Sequence, residues 1–376
     1  MATDPDILLI AASETDSNLY YTTRFLAPDA FIFLRIKGEK ILLMSDLEVD
    51  RARATATVDT VLAYSDYEAR VKREEGVQPT TIDVVDLLLK ERGVTHLLVP
   101  ESFSFEQALR LQAKGYALST KREPFFEARA IKATEEVAAI EVAQRAVESA
   151  VHQVIALLGA ASVRDGLIVH EGEVVTSERI KKIINVALME QECVSQHTII
   201  AGGLHACDPH NEGRGPLRAG EPIVMDIFPR HATTRYFADM SRTVLKGKAS
   251  PDKKRLYDTV LAAQEEAIGS VCDGADGRKI HARIMERFEQ AGYKTGVING
   301  RMQGFFHGTG HGVGIDIHEA PRINKSGSLL KAGHVVTVEP GLYYPGIGGV
   351  RIEDMVLVES GGCRNLTRFP KVLEID

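Results

Sequence analysis

Three histidines fall within one short window, His307, His311 and His318 in "HGTGHGVGIDIHEAPR" (residues 307–322). Neutral imidazoles at this density suit metal ligation, or proton transfer and hydrogen-bond donation to a reacting group. Glycines at 308, 310, 312 and 314 strip the backbone between them of side chains. The run matches neither G-x-G-x-x-G nor H-E-x-x-H, because residue 322 is Arg. A flexible turn with ordinary polar histidines is the competing reading, so the window needs partners elsewhere in the chain.

Carboxylates supply them. "PIVMDIF" sets Asp226 in an apolar run, "YFADMSRT" carries Asp239, "HVVTVEPGLYY" carries Glu339 and "GGVRIEDMVLV" carries Glu353. All four read as acids on buried strands. Gathered in one place they would repel one another and pay for desolvation, unless they take up protons, pair with arginine or bind cations. Arg235, Arg242 and Arg351 are near enough in sequence to pair with them singly. Beside a histidine cluster, cations are the more economical solution. Four carboxylates and a neutral imidazole carry about −4, which two divalent ions cancel, leaving room for a bridging hydroxide. Such an oxygen-rich donor set suits Mn, with Fe, Co or Zn as alternatives. A hairpin centred between Ala232 and Thr233 would set Asp226 directly opposite Asp239, and directly opposed residues share a face of the sheet.

The elements that must position these residues are legible in outline. "DAFIFLRI" and "KILLMS" read as strands of a hairpin turning at "KGE", "THLLVP" as a buried strand, and "TTIDVVDLLLKERG" as a helix ending at Gly93. Residues 1–125 thus form an α/β domain. After the charged stretch "STKREPFFEARAIKATEE" a long helix begins near Thr134, with Val137, Ile140, Val147, Val151, Val154 and Leu158 on one stripe. From there a pattern of long helix, shorter helix and strands runs twice: helices at 134–158 and about 173–191 with strands at 197–201, 222–228 and 235–245, then a helix after Ser250-Pro251, another ending at Gly292, and strands near 334–339 and 350–358. Residues 126–376 form this second, internally duplicated domain.

Composition narrows the function. Of 376 residues, 26% are charged and 44% hydrophobic, with a net charge of −7, which gives no basic surface for nucleic acid. Cys193, Cys207, Cys272 and Cys363 lack C-x-x-C spacing, which argues against a disulfide framework or a zinc-thiolate site and fits a reducing cytoplasm. "MATDPDILLIAASETD" has no basic region before its short apolar run, so neither a signal peptide nor a membrane span is expected.

With "GTGHGVGIDIHEAPR", "VEPGLY" and "GGVRIED" in this order, the chain resembles the pita-bread metallopeptidases, in the branch of Xaa-Pro dipeptidases (prolidases) and aminopeptidase P. The resemblance spans essentially the whole chain. It implies an α/β (α+β) fold, with a creatinase/prolidase-like N-terminal domain followed by a pita-bread domain with an internal pseudo-two-fold. It also implies that Asp226, Asp239, His311, Glu339 and Glu353 hold two divalent ions. His210, in "CDPHNEG", His318 and Glu339 would be catalytic, with His205 a weaker candidate than His210. His307, Arg322 and Arg351 would surround the substrate, and the glycines would let backbone and substrate approach closely. The implied partner is a small peptide with proline after the scissile bond, and the implied assembly a cytoplasmic homodimer. Alternatives are aminopeptidase P, a creatinase-like hydrolase and a metal-free peptide-binding module. One departure stands out. The segment "DIFPRHATTRYFAD" places the two aspartates thirteen positions apart where the family usually has eleven, and has Arg235 where glycine is common.

Overall fold

The structure is a computed structural model that describes residues 5–76 and 78–376, so the first four residues of the N-terminal stretch lie outside it. Two compact units divide the chain, Met1–Glu127 and Ala128–Asp376.

In the first unit the expected hairpin pairs Phe31–Ile36 with Glu39–Met44. It sits in a six-stranded mixed sheet, in the spatial order Thr60–Ala63, Glu39–Met44, Phe31–Ile36, Ile7–Ala11, His96–Pro100, Ala117–Lys121. Alternation explains the near-continuous apolar strands. Leu8, Ile32 and Leu34 pack with Ile82, Val85 and Leu88 of the helix Thr81–Arg92 on one face. Ile7, Leu9 and Phe33 pack with Leu19 and Phe25 on the other. Both faces are covered, so neither set can be polar. The helix begins at a capping box, in which Thr80 N–H donates to Asp83 Oδ2 at 2.8 Å while Asp83 N–H donates to Thr80 Oγ1 at 3.4 Å.

The second unit shows the doubled element order. Helices Thr134–Ala160 and Ser177–Met189 precede a four-stranded sheet built on Ile199–Gly202, Ile223–Ile227 and Met240–Lys246. Helices Pro251–Gly269 and Gly277–Gln290 precede a five-stranded sheet ordered Glu319–Ile323, Gly310–Gly312, Val335–Val338, Asp354–Glu359, Gly362–Asn365. Every residue of the stripe anticipated on the first long helix is buried. The second helix is shorter than expected because Glu173–Val174 is a strand and Thr176 caps the helix, accepting from Arg179 N–H. No helix among the described residues is long and apolar enough to cross a membrane.

Two strand assignments change. The expected strand 235–245 begins only at Met240, and the hairpin it closes is shifted. Asp226 stands opposite Ser241 and Ile227 opposite Met240, with Arg230 bridging Phe237 nearer the tip. The centre therefore lies between Thr233 and Thr234, one residue beyond the expected centre, which offsets the pairing by two, and Asp239 is the diagonal neighbour of Asp226. A two-residue offset preserves parity, so both side chains stay on one face. Arg235, where the family commonly has glycine, adopts a left-handed φ of 65° at this tip. The expected strand 350–358 is broken at Ile352-Glu353: Gly348–Arg351 pairs with Gly341–Tyr344, and Asp354–Glu359 joins the five-stranded sheet. The break has a cause. Glu353 N–H donates to Ser241 O at 3.0 Å and Glu353 O accepts from Arg242 Nη1 at 2.6 Å, so its backbone is bound to the other half's sheet.

Candidate metal centre

Three of the four acids sit where strands end rather than within them. Asp239 immediately precedes Met240–Lys246, Glu339 immediately follows Val335–Val338, and Glu353 occupies the break. Only Asp226 lies inside a strand, Ile223–Ile227. His311 is the middle residue of Gly310–Gly312, directly opposite Arg322 on Glu319–Ile323. Close strand packing explains the glycine beside it. A Cβ at Gly310 would come within 1.9 Å of Thr337 O, so the requirement at that position comes from the neighbouring strand and not from a substrate.

A single cavity is lined by Asp226, Asp239, His311, Glu339 and Glu353. His210, His307, His318, Arg322 and Arg351 line it too, whereas His205 lies outside it on a short turn. One ligand atom each from Asp239, His311 and Glu353 lies within 4.8 Å of the others. His311 Nε2 is 3.6 Å from Asp239 Oδ2 and 3.4 Å from Glu339 Oε1. Its Nδ1 faces Gly312 O at 3.2 Å, which leaves the Nε2 lone pair directed at the acids. Burial and then the neighbouring His318 hold its pKa down to about 3, so the ring is neutral at pH 7. His318 packs edge-on against it, with ring centroids 4.3 Å apart.

The acids are poorly compensated by protein groups alone. Burial, followed by Glu353, Asp226 and Glu339, raises the Asp239 pKa well above the usual carboxylate range. Glu353 is raised in the same way, by burial and then by Glu339 and Asp226. Glu339 is pushed up to about 8, mainly by burial, with Arg351 opposing and Asp226 adding to the rise. Asp226 Oδ1 is buried with no hydrogen-bond partner. Converging carboxylates, a neutral imidazole with its lone pair turned inward and an orphaned buried oxygen fit divalent cations. The same features yield a measurable expectation. Folded, metal-free Glu339 retains a proton between its ordinary 4.5 and about 8 that the unfolded chain has lost, so metal-free protein should lose stability as pH rises through that window. Metal uptake should release protons and weaken as pH falls below about 8; calorimetric titrations in buffers of different ionisation enthalpy would reveal both, and pH-independent uptake without proton release would contradict them.

Arg351 is turned on protein acceptors. Its guanidinium donates to Asp226 Oδ2 at 2.7 Å, Ser241 Oγ at 3.0 Å, Tyr343 Oη at 2.9 Å and Pro209 O at 3.3 Å, and only 3% of the residue is exposed. His307 Nε2 lies 2.9 Å from the same Tyr343 hydroxyl and its Nδ1 2.8 Å from Gly308 O. Burial, with Arg351 second, lowers its pKa to about 3. Arg322, His210 and His318 are all exposed at the cavity.

Residue-by-residue reading overlooked several participants. Ser241 donates from Oγ to Glu353 Oε2 at 2.9 Å, and its two-residue spacing from Asp239 is the signal that could have revealed it. Thr337 Oγ1 accepts from His311 N–H at 3.1 Å and lies 3.4 Å from Glu339 Oε1, again two residues from an acid. Tyr343 had no such signal, because its role depends on partners from separate segments.

Known proteins extend the comparison. Residues 138–360 match metallopeptidase family M24. The chain is 28% identical to the Xaa-Pro dipeptidase of Pyrococcus horikoshii over 375 residues, covering 98% of this chain and 94% of that one. Its structure is similar to that of an Xaa-Pro dipeptidase from Bacillus anthracis, with a TM-score of 0.82 and 25% identity over 99% of this chain and 95% of the other. The fold is also that of an X-Pro aminopeptidase from Thermotoga maritima, with a TM-score of 0.81 and 22% identity over 99% and 97% of the two chains.

Proposed function

The chain belongs to metallopeptidase family M24, and from that membership we propose that it hydrolyses the Xaa-Pro bond of dipeptides with two divalent ions held by Asp226, Asp239, His311, Glu339 and Glu353. The observation that carries the choice of dipeptides is Arg322. It stands opposite His311 in the strand register and is exposed at the cavity. Among the described residues no carboxylate pairs with it, because Glu319, the acid nearest in sequence, is engaged by Arg129 and Lys132. A guanidinium fork matches a carboxylate, and only a dipeptide carries its terminal carboxylate one residue past the scissile bond.

Divalent ions bound by the five residues would supply Lewis acidity, polarising the scissile carbonyl and making water a nucleophile near neutral pH. Glu339 takes the proton of the attacking water at its carboxylate and passes it to the proline nitrogen as the C–N bond breaks. His318 and His210 donate hydrogen bonds to the developing oxyanion. Burial and the nearby Arg322 lower the His318 pKa, so it acts as a neutral donor near pH 7. Arg351 contributes by holding Asp226 at Oδ2, which leaves the orphaned Oδ1 for a cation, while His307 holds the Tyr343 hydroxyl that accepts from Arg351. Mn²⁺ suits the donor set, with Fe, Co and Zn as alternatives. The four free thiols accord with a cytoplasmic enzyme, and a homodimer is the proposed assembly, which light scattering would test.

Hydrolysis of Ala-Pro, Ala-Pro-Ala and Met-Ala-Ser, measured side by side with added Mn²⁺, tests the assignment. Ala-Pro should be the best substrate; preference for Ala-Pro-Ala would make the protein an aminopeptidase P. Metal-independent peptide binding without turnover would leave only a binding module. Arg322→Ala should lower kcat/KM for Ala-Pro by about ten- to a hundred-and-fifty-fold, the equivalent of roughly 1.5–3 kcal/mol, and barely change Ala-Pro-Ala. Equal losses on both substrates would remove the carboxylate role.

A further inference from the structure

His318 lines the cavity from a loop whose flanking carboxylates are tied to a distant segment. Glu319, with a side chain 10% exposed, accepts from Arg129 Nη2 at 3.0 Å and from Lys132 Nζ. Asp316 Oδ2 accepts from the same Arg129 nitrogen at 2.6 Å. The Lys132 side chain is 1% exposed, so its charge has been withdrawn from water to meet this acid. The segment bearing the two cations is itself anchored. Lys132 N–H donates to Gly333 O at 2.8 Å and Ile131 bridges His334, at the start of the strand that delivers Glu339. On another side of the loop, Phe237 N–H of the aspartate hairpin donates to Gly314 O at 2.8 Å. Gly314 makes room for the cluster, since a Cβ there would lie 2.4 Å from Glu319 Oε1.

Stability alone is a weak reason to bury such charges. Desolvation offsets much of their attraction, and apolar or neutral replacements of whole buried pairs are often harmless to stability. Directional constraint is what a bidentate, doubly paired carboxylate adds, and here it acts on the residue next to His318. We propose that the Glu319–Lys132–Arg129 cluster is a positioning device that sets His318 for turnover, an inference that rests on the Xaa-Pro hydrolase reading. None of the three side chains needs to touch substrate. They act through the loop backbone, which ties segment 129–132 to the imidazole.

Lys132→Met, Glu319→Gln and the double variant separate positioning from stability. Each single variant leaves a buried charge less well paired and should lower both Tm and kcat. The double variant removes both charges, so Tm should recover, while kcat stays about ten- to a hundred-fold down with KM for Ala-Pro within about twofold. Bound metal should remain at the wild-type level. A second readout needs no turnover: in the diamagnetic zinc-loaded protein, the imidazole resonance that His318→Gln removes should shift in the double variant. Return of kcat and of that resonance together with Tm would overturn the proposal, leaving the cluster a fold element only. If wild-type protein hydrolyses no Xaa-Pro peptide, the activity assignment fails separately, and the His318 resonance still decides whether the cluster positions the ring.

Discussion

Asp239→Asn should cost at least about a thousand-fold in turnover, or roughly 4 kcal/mol of transition-state stabilisation, and yet leave the metal-free protein more stable than wild type above neutral pH. The two outcomes share one cause. Asp239 is 4% exposed, and burial together with Glu353, Asp226 and Glu339 opposes its ionisation. Without metal, ionising it as pH rises costs folding free energy, because its raised pKa means a proton held by the folded chain and already lost by the unfolded one. Asparagine removes that cost but cannot provide the anionic oxygen that joins His311 and Glu353 within ligand distance of one another. Wild-type Tm should therefore rise strongly on adding Mn²⁺ and the variant's much less. Metal content, turnover and Tm with and without metal are the measurements. A variant that turns over like wild type would sink the metal-centre assignment, and one whose metal-free form is markedly less stable would show that Asp239 is a fold residue instead.

His311→Ala and His318→Ala should both reduce turnover by about 10²-fold or more, and should divide on metal content. His311 Nε2 lies among the acids, 3.4 Å from Glu339 and 3.6 Å from Asp239, with its other nitrogen occupied by Gly312 O. Alanine there removes a donor atom and should empty the site. His318 meets His311 edge-on but contributes no atom to the Asp239–His311–Glu353 cluster, so His318→Ala should bind metal normally and fail in kcat. Equal metal loss in both variants would erase the distinction between ligand and hydrogen-bond donor. The His311 result also bears on the glycine-rich run. Gly310→Ala should mimic His311→Ala by a different route, since its Cβ would meet Thr337 O and push apart the strands that carry His311 and Glu339.

Local residue pattern was enough to reveal the chemistry on offer: three histidines in one short window, four acids in apolar settings, and the period-two alternation that keeps Asp226 and Asp239 on one face. That last inference survived a wrong register. The hairpin centre moved, Ser241 rather than Asp239 came to stand opposite Asp226, and the carboxylates still share a face, because a shift of two residues along a strand returns a side chain to the same side. What each charge is committed to depends on contacts between segments far apart in the chain. Arg351 could have met substrate or any of several acids, and it meets Asp226, 125 positions away, with Ser241 and Tyr343. Glu319 is three residues from Arg322 but spends its charge on Lys132, 187 positions earlier, which leaves Arg322 open at the cavity. The break that turns Glu353 inward likewise depends on Ser241 and Arg242 of the other half. Periodicity is a property of neighbouring residues and can be read from them, whereas a buried ion pair is chosen by which segments the whole fold brings within a few ångströms, and many pairings of like residues are equally consistent with the same local pattern.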